Sequence, residues 1–250
     1  FFKKIKLAFG VSMKNILIAD KVFSDKVKIA FNVVPSSKPA NKPLIGLNLT
    51  TEGLKIHNKN QIHLKNKVTA RLLFLFDGQN KSITLKKSAI TSLPLFSISL
   101  RKGTIGSDKK FNAQDLNILL DLKRFWQDMP RPYHKTFPVQ NLSGVIRINT
   151  NAEGILPSKI NMSKLDLPFK FNSKFNINKV ALELKQYNLK INSMNTIAKI
   201  NNLNSNIINV SGTTAIGSMI EDFQTILPKL SDIYFQYDFS LNDLNTLDIN

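Results

Sequence analysis

The chain has 250 residues, no cysteine and a formal net charge of +18, and 42% of its residues are hydrophobic. The missing cysteines exclude disulfides, thiolate zinc sites and cysteine nucleophiles. The hydrophobic fraction suffices for a packed core, and no apolar run approaches the roughly 18–20 residues of a membrane span. The charge favours an acidic partner such as nucleic acid or anionic lipid. A general bias of the composition toward Lys, Asn and Ile explains the charge equally well, without an acidic partner.

Alternating apolar and polar residues predict β-strands through the first 90 residues. The predicted strands lie at 4–13, 15–19, 27–33, 47–56, 62–64, 68–76 and 83–85, with a break at Glu52–Gly53. Residues 35–43 contain three prolines, so an exposed loop is predicted there. Phe1 and Phe2, followed by Lys3 and Lys4, suggest the end of a membrane span and a segment of a longer polypeptide.

A two-faced hairpin is predicted at residues 95–122. Phe96, Ile98 and Leu100 alternate with polar residues, and Leu116, Ile118 and Leu120 do the same after the polar stretch. A turn is predicted between them, carrying Gly103, Gly106 and a polar tip at 107–110. The hairpin therefore has one apolar side.

The second half of the chain predicts further strands and at most two helices. Strands are predicted at 142–149, 165–171, 180–184, 187–191, 197–200, 207–210 and 235–241, with a reversal at 211–213. A short helix is predicted at 121–128. A second is predicted at 218–230, because Ser218 and Glu221 have capping-box spacing before an apolar stripe.

The sequence contains no convincing constellation for catalysis or metal binding. His57 and His63 lie near each other without a third ligand at suitable spacing. Ser99 and Ser107 begin S-x-x-K matches, but one is in a predicted strand and the other in a turn, where Ser and Lys do not meet. Aromatic residues alternate with basic ones and so lie on the opposite face, which disfavours specific nucleic-acid recognition. We therefore expect no enzyme, no metal site and no cofactor.

The predicted fold class is mainly β, with residues 1–250 forming one segment. One interpretation is an elongated, strongly curved antiparallel sheet, a β-taco-like groove with one or two short helices, whose apolar face takes acyl chains. The alternative is a closed β-sandwich, an interaction module with a basic binding face. The residues expected to line the groove are Leu72, Phe74, Phe76, Phe96, Ile98, Leu100, Leu116, Ile118, Leu120, Leu167, Phe169, Phe171, Leu182 and Leu184.

The hairpin at 95–122 resembles the recurring unit of the AsmA-like family, which includes the TamB and YhdP branches. The resemblance rests on a strand, a turn at Arg101–Gly103, a polar tip and an L-x-L-x-L strand ending in Asp121–Leu122. Looser copies lie at 47–76, around Gly53, and at 142–171, around Gly154, and 180–210 resembles the tandem short strands of such grooves. Chorein-type bridge proteins share this pattern of alternating strands and polar turns.

The resemblance implies a bridge-like lipid transfer protein without catalysis. It implies phospholipid transport through the periplasm of a Gram-negative bacterium, an inner-membrane anchor outside this segment, and envelope protein partners. No specific nucleic acid is expected among the partners.

Overall fold

The computed structural model describes residues 7–19, 22–34, 43–57, 61–64, 67–129, 134, 139–156, 167–184, 189–204, 207–221 and 230–241. Within these ranges the chain forms long strands and one short helix, as the alternating sequence predicts. The elements are β1 (Leu7–Ala19), β2 (Val22–Val34), β3 (Leu44–His57), β4 (Gln61–Leu64), β5 (Val68–Asp77), β6 (Ser82–Ser92), β7 (Phe96–Gly106), β8 (Lys110–Asp121), α1 (Leu122–Asp128), β9 (Ser143–Ile155), β10 (Phe169–Leu184), β11 (Leu189–Asn204), β12 (Ile207–Glu221) and β13 (Leu230–Leu241).

The described strands belong to one antiparallel sheet, which confirms the predicted mainly β fold class. Its order is β1-β2-β3-β5-β6-β7-β8-β9-β10-β11-β12-β13, and β4 pairs with β3 beside this path. Neighbours in the sheet are therefore neighbours in the chain, because short connections favour antiparallel pairing. The described strands do not separate into the two sheets that the sandwich alternative requires, and the order does not close on itself.

The chain divides into two compact units. Unit 1 consists of Phe1–Asn117 and Ala152–Leu156, and unit 2 consists of Ile118–Asn151 and Pro157–Asn250. Each unit has its own buried apolar residues. Val27 and Leu95 are buried in unit 1, whereas Val180, Ala198 and Ile216 are among those buried in unit 2.

The predicted hairpin is confirmed as β7 and β8, but its turn is much shorter than predicted. The chain reverses at residues 107–109, where the backbone N–H of Lys109 donates to the carbonyl oxygen of Gly106 at 3.1 Å. The carboxylate of Asp108 accepts from the backbone N–H of Lys110 at 3.1 Å. This hydrogen bond, together with one from the Lys110 side chain, lowers the pKa of Asp108.

Several predicted turns are wrong, because their residues lie inside strands. Arg101–Gly103 belongs to β7, Gly53 to β3, Gly154 to β9 and residues 211–213 to β12. In β12 these residues pair on both sides, with Gly212 opposite Ala198 of β11 and opposite Tyr237 of β13. Likewise, residues 189–191 and 197–200, from two separately predicted strands, both lie within β11, and residues 187–188 lie outside the described residues. Strands of 10–16 residues replace most of the short ones predicted.

The breaks in alternation are points where a strand changes phase without leaving the sheet. In β5, Ala70 and Phe74 share a face by regular alternation, and they stand opposite Ile90 and Leu85 of β6. Opposed residues in an antiparallel pair have side chains on the same face. Leu85 and Ile90, five residues apart, therefore share a face, which requires one extra residue between them. Lys87 has a φ of 44° and lies at this β-bulge.

The same kind of residue recurs in other strands. Positive φ angles occur inside strands at Asn15, Gly53, Lys87, Asp115, Lys179 and Asp232, with φ between 44° and 63°. On either side of each one, the apolar residues change from odd to even numbers or the reverse, as from Phe175 and Ile177 to Val180 and Leu182. At Lys87 and Lys179 the register with a neighbouring strand shifts, whereas across Asn15, Gly53 and Asp232 the register is unbroken. In both cases the change of phase keeps apolar residues on one side of the sheet.

The first predicted helix is confirmed and the start of the second is wrong. Helix α1 begins after Asp121, whose carboxylate accepts from the backbone N–H of Arg124 at 2.9 Å. Residues Ser218–Glu221 instead continue β12, where Ser218 is opposite Ser231 of β13. Pairing with strands on both sides satisfies their backbone groups and overrides the capping-box signal. Residues 222–229 lie outside the described residues, as does the predicted loop 35–43 except for Pro43.

We predict that Gly144→Ala destabilises the protein by about 2–4 kcal/mol. Gly144 has a φ of 117°, and a Cβ atom there would lie 2.7 Å from the Cα atom of Val180 and 2.8 Å from its Cγ2 atom. Gly217→Ala is the matched control, since the nearest atom to its Cβ position is 3.5 Å away. Urea unfolding of both variants measures the difference, and equal unfolding free energies would contradict the close packing of β9 on β10.

Candidate functional site

The apolar face of unit 1 is a set of residues that the strand register aligns across six strands. One row runs through Val11, Ile29, Leu49, Ala70, Ile90 and Ile98, each residue standing opposite the next. A second row runs through Val33, Ile45, Phe74, Leu85 and Gly103. Neither row contains a charged residue, so the face is continuous and uncharged across these strands.

The charged side chains of these strands lie on the opposite face. Lys28 is opposite Ser12 and Thr50, and Arg71 is opposite Asn48. Ion pairs join neighbouring strands there, as between Lys26 and Glu52, whose charged atoms are 3.9 Å apart. Such exposed pairs contribute little stability. The Lys and Arg side chains of these strands therefore lie on a solvated face, and the other face is apolar.

Several large side chains on the apolar face of unit 1 are exposed to solvent, whereas small ones beside them are buried. Ile90 is 38% exposed, but Ser88 and Ser92, two residues away on the same face of β6, are 5% and 0% exposed. Phe76 is 48% exposed and stands opposite Ile83, which is 38% exposed. Small side chains are covered by their neighbours within the face. The larger ones, Phe76, Ile83 and Ile90, keep more than a third of their surface exposed.

Unit 2 presents an apolar face of its own on β10 to β13. Phe175, Ala198, Gly212 and Tyr237 form one row, and Val180, Met194, Ile216 and Ile233 form another. Tyr237 lies across Gly212, since its Oη atom is 2.8 Å from the position a Cβ atom would take. On this face Val180, Ala198 and Ile216 are buried, and Phe235 is exposed.

Polar residues on the face of unit 2 are paired with one another or with the backbone. The Thr196 and Thr214 hydroxyls are 2.9 Å apart, as are those of Thr150 and Ser173. Asn202, 1% exposed, bonds to the backbone of β10 twice. Its Oδ1 atom accepts from the N–H of Phe171 at 2.6 Å, and its Nδ2 atom donates to the carbonyl oxygen of Phe169 at 2.7 Å. Satisfied in this way, these groups add no charge to the face.

The structure places most of the predicted lining residues on these two faces. Leu72, Phe74, Phe76, Phe96, Ile98 and Leu100 share the apolar face of unit 1. Phe169, Phe171, Leu182 and Leu184 lie on that of unit 2, where the Phe169 and Phe171 rings are 6.2 Å apart between centroids.

The other four predicted lining residues lie in β8 and just before β10. Leu116, Ile118 and Leu120 alternate along β8 and are all half-buried. Leu167 lies two residues before β10 and is buried, so it is a core residue.

The sequence-based list omits residues that lie in the same rows as its members. Leu85 and Ile90 stand opposite Phe74 and Ala70, and Val210 and Phe239 lie in one row of unit 2. The signal that identifies Ile90 is the phase shift at Lys86–Lys87, after which the apolar positions become even. The strand predicted at 83–85 ends before this shift and therefore leaves out the second half of β6.

The described residues contain no group of three or more His, Cys, Asp or Glu side chains placed to hold a metal ion. In the register of β3 and β4, His57 is opposite Gln61 and His63 is opposite Lys55, so the two histidines are not paired. His134 stacks on Trp126 of α1, with ring centroids 4.3 Å apart. No helix in the described part of the chain is long and apolar enough to cross a membrane.

Comparison with known proteins found no matching family model, no matching curated protein and no matching solved structure.

We predict that Asn202→Leu lowers the unfolding free energy by about 2–4 kcal/mol, because it leaves two backbone groups of β10 without their partner. Asn172→Leu, at an exposed position of β10, is the control and should change it by less than about 0.5 kcal/mol. Chemical denaturation followed by circular dichroism measures both. A small effect at Asn202 would show that water replaces the amide.

Proposed function

We propose that the protein is a non-enzymatic lipid conduit whose apolar sheet faces shield acyl chains from water. The observation that carries the proposal is the uncharged face of unit 1, on which large apolar side chains remain exposed. An exposed face of this size is typical of an interaction site. Transfer of lipid tails onto it releases about 0.8 kcal/mol per buried methylene.

The length of the face suits an acyl chain. Along β3 the apolar face runs from Ile45 to Thr51, which at about 3.3 Å per residue spans about 20 Å. One leaflet of a bilayer has about half of the 30 Å hydrocarbon thickness. A lipid tail lying along the strands would therefore stay in contact with apolar side chains over its whole length.

In this proposal the positive net charge attracts lipid surfaces from a distance and does not contact the bound acyl chains. The Lys and Arg side chains of the strands lie on the opposite face, away from the acyl chains. They attract anionic lipid surfaces without binding headgroups inside the apolar face. Phospholipid is the ligand class that combines an anionic headgroup with tails of this length.

The cellular setting is proposed from the resemblance of the hairpins to AsmA-like proteins. On that basis the chain acts in the periplasm of a Gram-negative cell envelope, anchored to the inner membrane by a span outside this segment. The resemblance now rests on paired, two-faced strands, since the positions compared as turns lie within β3, β7 and β9.

A photo-crosslinking amino acid at Ile90 should capture phospholipid in cells, whereas one at Arg71 should not. Ile90 lies on the apolar face of unit 1, and Arg71 lies on the opposite face of the adjacent strand. The two sites are at nearly the same level of the sheet but on different faces of it. Mass spectrometry of the crosslinked product identifies the lipid. Equal capture at both sites, or none at Ile90, would refute the conduit and favour a protein-binding module that uses the basic face.

Ile90→Asp should reduce co-purifying phospholipid at least about tenfold, because an unpaired carboxylate against an acyl chain costs more than the roughly 1.4 kcal/mol that tenfold represents. Ala89→Asp is the matched control. It adds the same charge one residue away, on the face where Arg71 stands opposite. Lipid extraction and quantification measure the effect. Melting temperatures establish that both variants fold, and equal lipid loss in the two would contradict the proposal.

A further inference from the structure

We propose that the free edge of β13 binds an extended peptide segment of alternating apolar and basic residues, which adds a strand to the sheet. β13 ends the strand order and pairs only with β12 among the described strands. An edge strand presents unpaired backbone N–H and C=O groups that another strand can use. This surface would take a protein partner, independently of lipid on the apolar faces.

The edge of β13 has few of the features that normally prevent strand addition, since its positive-φ residue Asp232 lies near its start and Asp238 is its one further charge. Residues Ile233–Leu241 contain no proline, no lysine and no residue with positive φ. Nine regular residues form a stretch longer than the usual strand of 5–6 residues. β1, at the other end of the strand order, differs, because it carries Lys14 and the positive-φ residue Asn15 near its middle. Strand addition is therefore favoured at β13.

The two faces of β13 determine the chemistry of the added strand. Phe235, Tyr237 and Phe239 stand opposite residues of the apolar face of unit 2, and Phe235 is 52% exposed. Thr196 and Thr214, in the same row but in interior strands, have neighbours on both sides. A partner strand with apolar residues on this side would cover Phe235 and extend the apolar face.

The opposite face of β13 calls for basic residues in the partner. Its charged side chains are Asp232 and Asp238, both exposed, in a chain whose net charge is +18. Asp238 stands opposite Ser211 of β12, which is uncharged. The interior strands β10 and β11 instead carry Lys174 and Lys199 on this face, directly opposite each other. Two β13 edges would bring like charges together, so a basic segment suits this edge better than a second β13.

The test uses the full-length protein and two nine-residue synthetic peptides, one alternating Val with Lys and one alternating Val with Glu. We expect the Val/Lys peptide to slow hydrogen exchange of the backbone amides of Ile233–Leu241, and the Val/Glu peptide to leave it unchanged. Asp238→Lys should weaken binding of the Val/Lys peptide about three- to tenfold. Asp108→Lys, an equal charge change at an exposed turn, should leave binding unchanged.

Three results would overturn the inference. The first is unchanged exchange in β13 with the Val/Lys peptide, and the second is equal protection by both peptides. The third is protection of β13 without peptide that increases with protein concentration, which would make a second copy of the chain the occupant. None of them bears on lipid capture at Ile90, so this inference and the lipid conduit fail separately.

Discussion

The structure depends on keeping one face of each strand free of charge. Most strands have 10–16 residues, so regular alternation would have to continue over that whole length. Bulges with positive-φ residues meet this constraint locally. At Lys87 the strand gains one residue, so Leu85 and Ile90 share a face although their numbers differ in parity. Left-handed backbone costs about 1–2 kcal/mol for a residue with a Cβ atom. The energy of keeping apolar side chains together offsets this cost.

Changes of phase also lie at corresponding levels of neighbouring strands. Lys87 and Arg101 face each other in the register between β6 and β7, and Arg101 forms an ion pair with Asp115 of β8, which itself has positive φ. In unit 2, Gly144 approaches Val180 next to the positive-φ residue Lys179. Between β6 and β7 the register is unbroken, with Lys86 opposite Lys102 and Ser88 opposite Leu100, so both strands change phase at the same level. Between β5 and β6 only β6 changes phase, and the register shifts instead. The apolar faces of both units are products of this coordination.

The exposed apolar side chains on the face of unit 1 bear on function. Phe76 and Ile90 are exposed there, although Val27 on the same face is buried. A lipid conduit requires accessible apolar side chains, so these residues carry most of the support for the proposal. In unit 2 the feature that invites a partner is the unprotected edge of β13.

The sequence by itself determined the strand content, the hairpin of β7 and β8, helix α1 and the shared apolar face of ten residues predicted to line a groove. Period-two alternation and a capping aspartate depend only on residues close together in the chain. The tertiary structure alone decided that Gly53, Arg101–Gly103 and Gly212 lie inside strands, and that Ser218–Glu221 continue β12. A turn and a bulge leave the same trace in a sequence, a glycine or polar residue where alternation shifts phase. Only pairing with a neighbouring strand, which satisfies the backbone hydrogen bonds, distinguishes them.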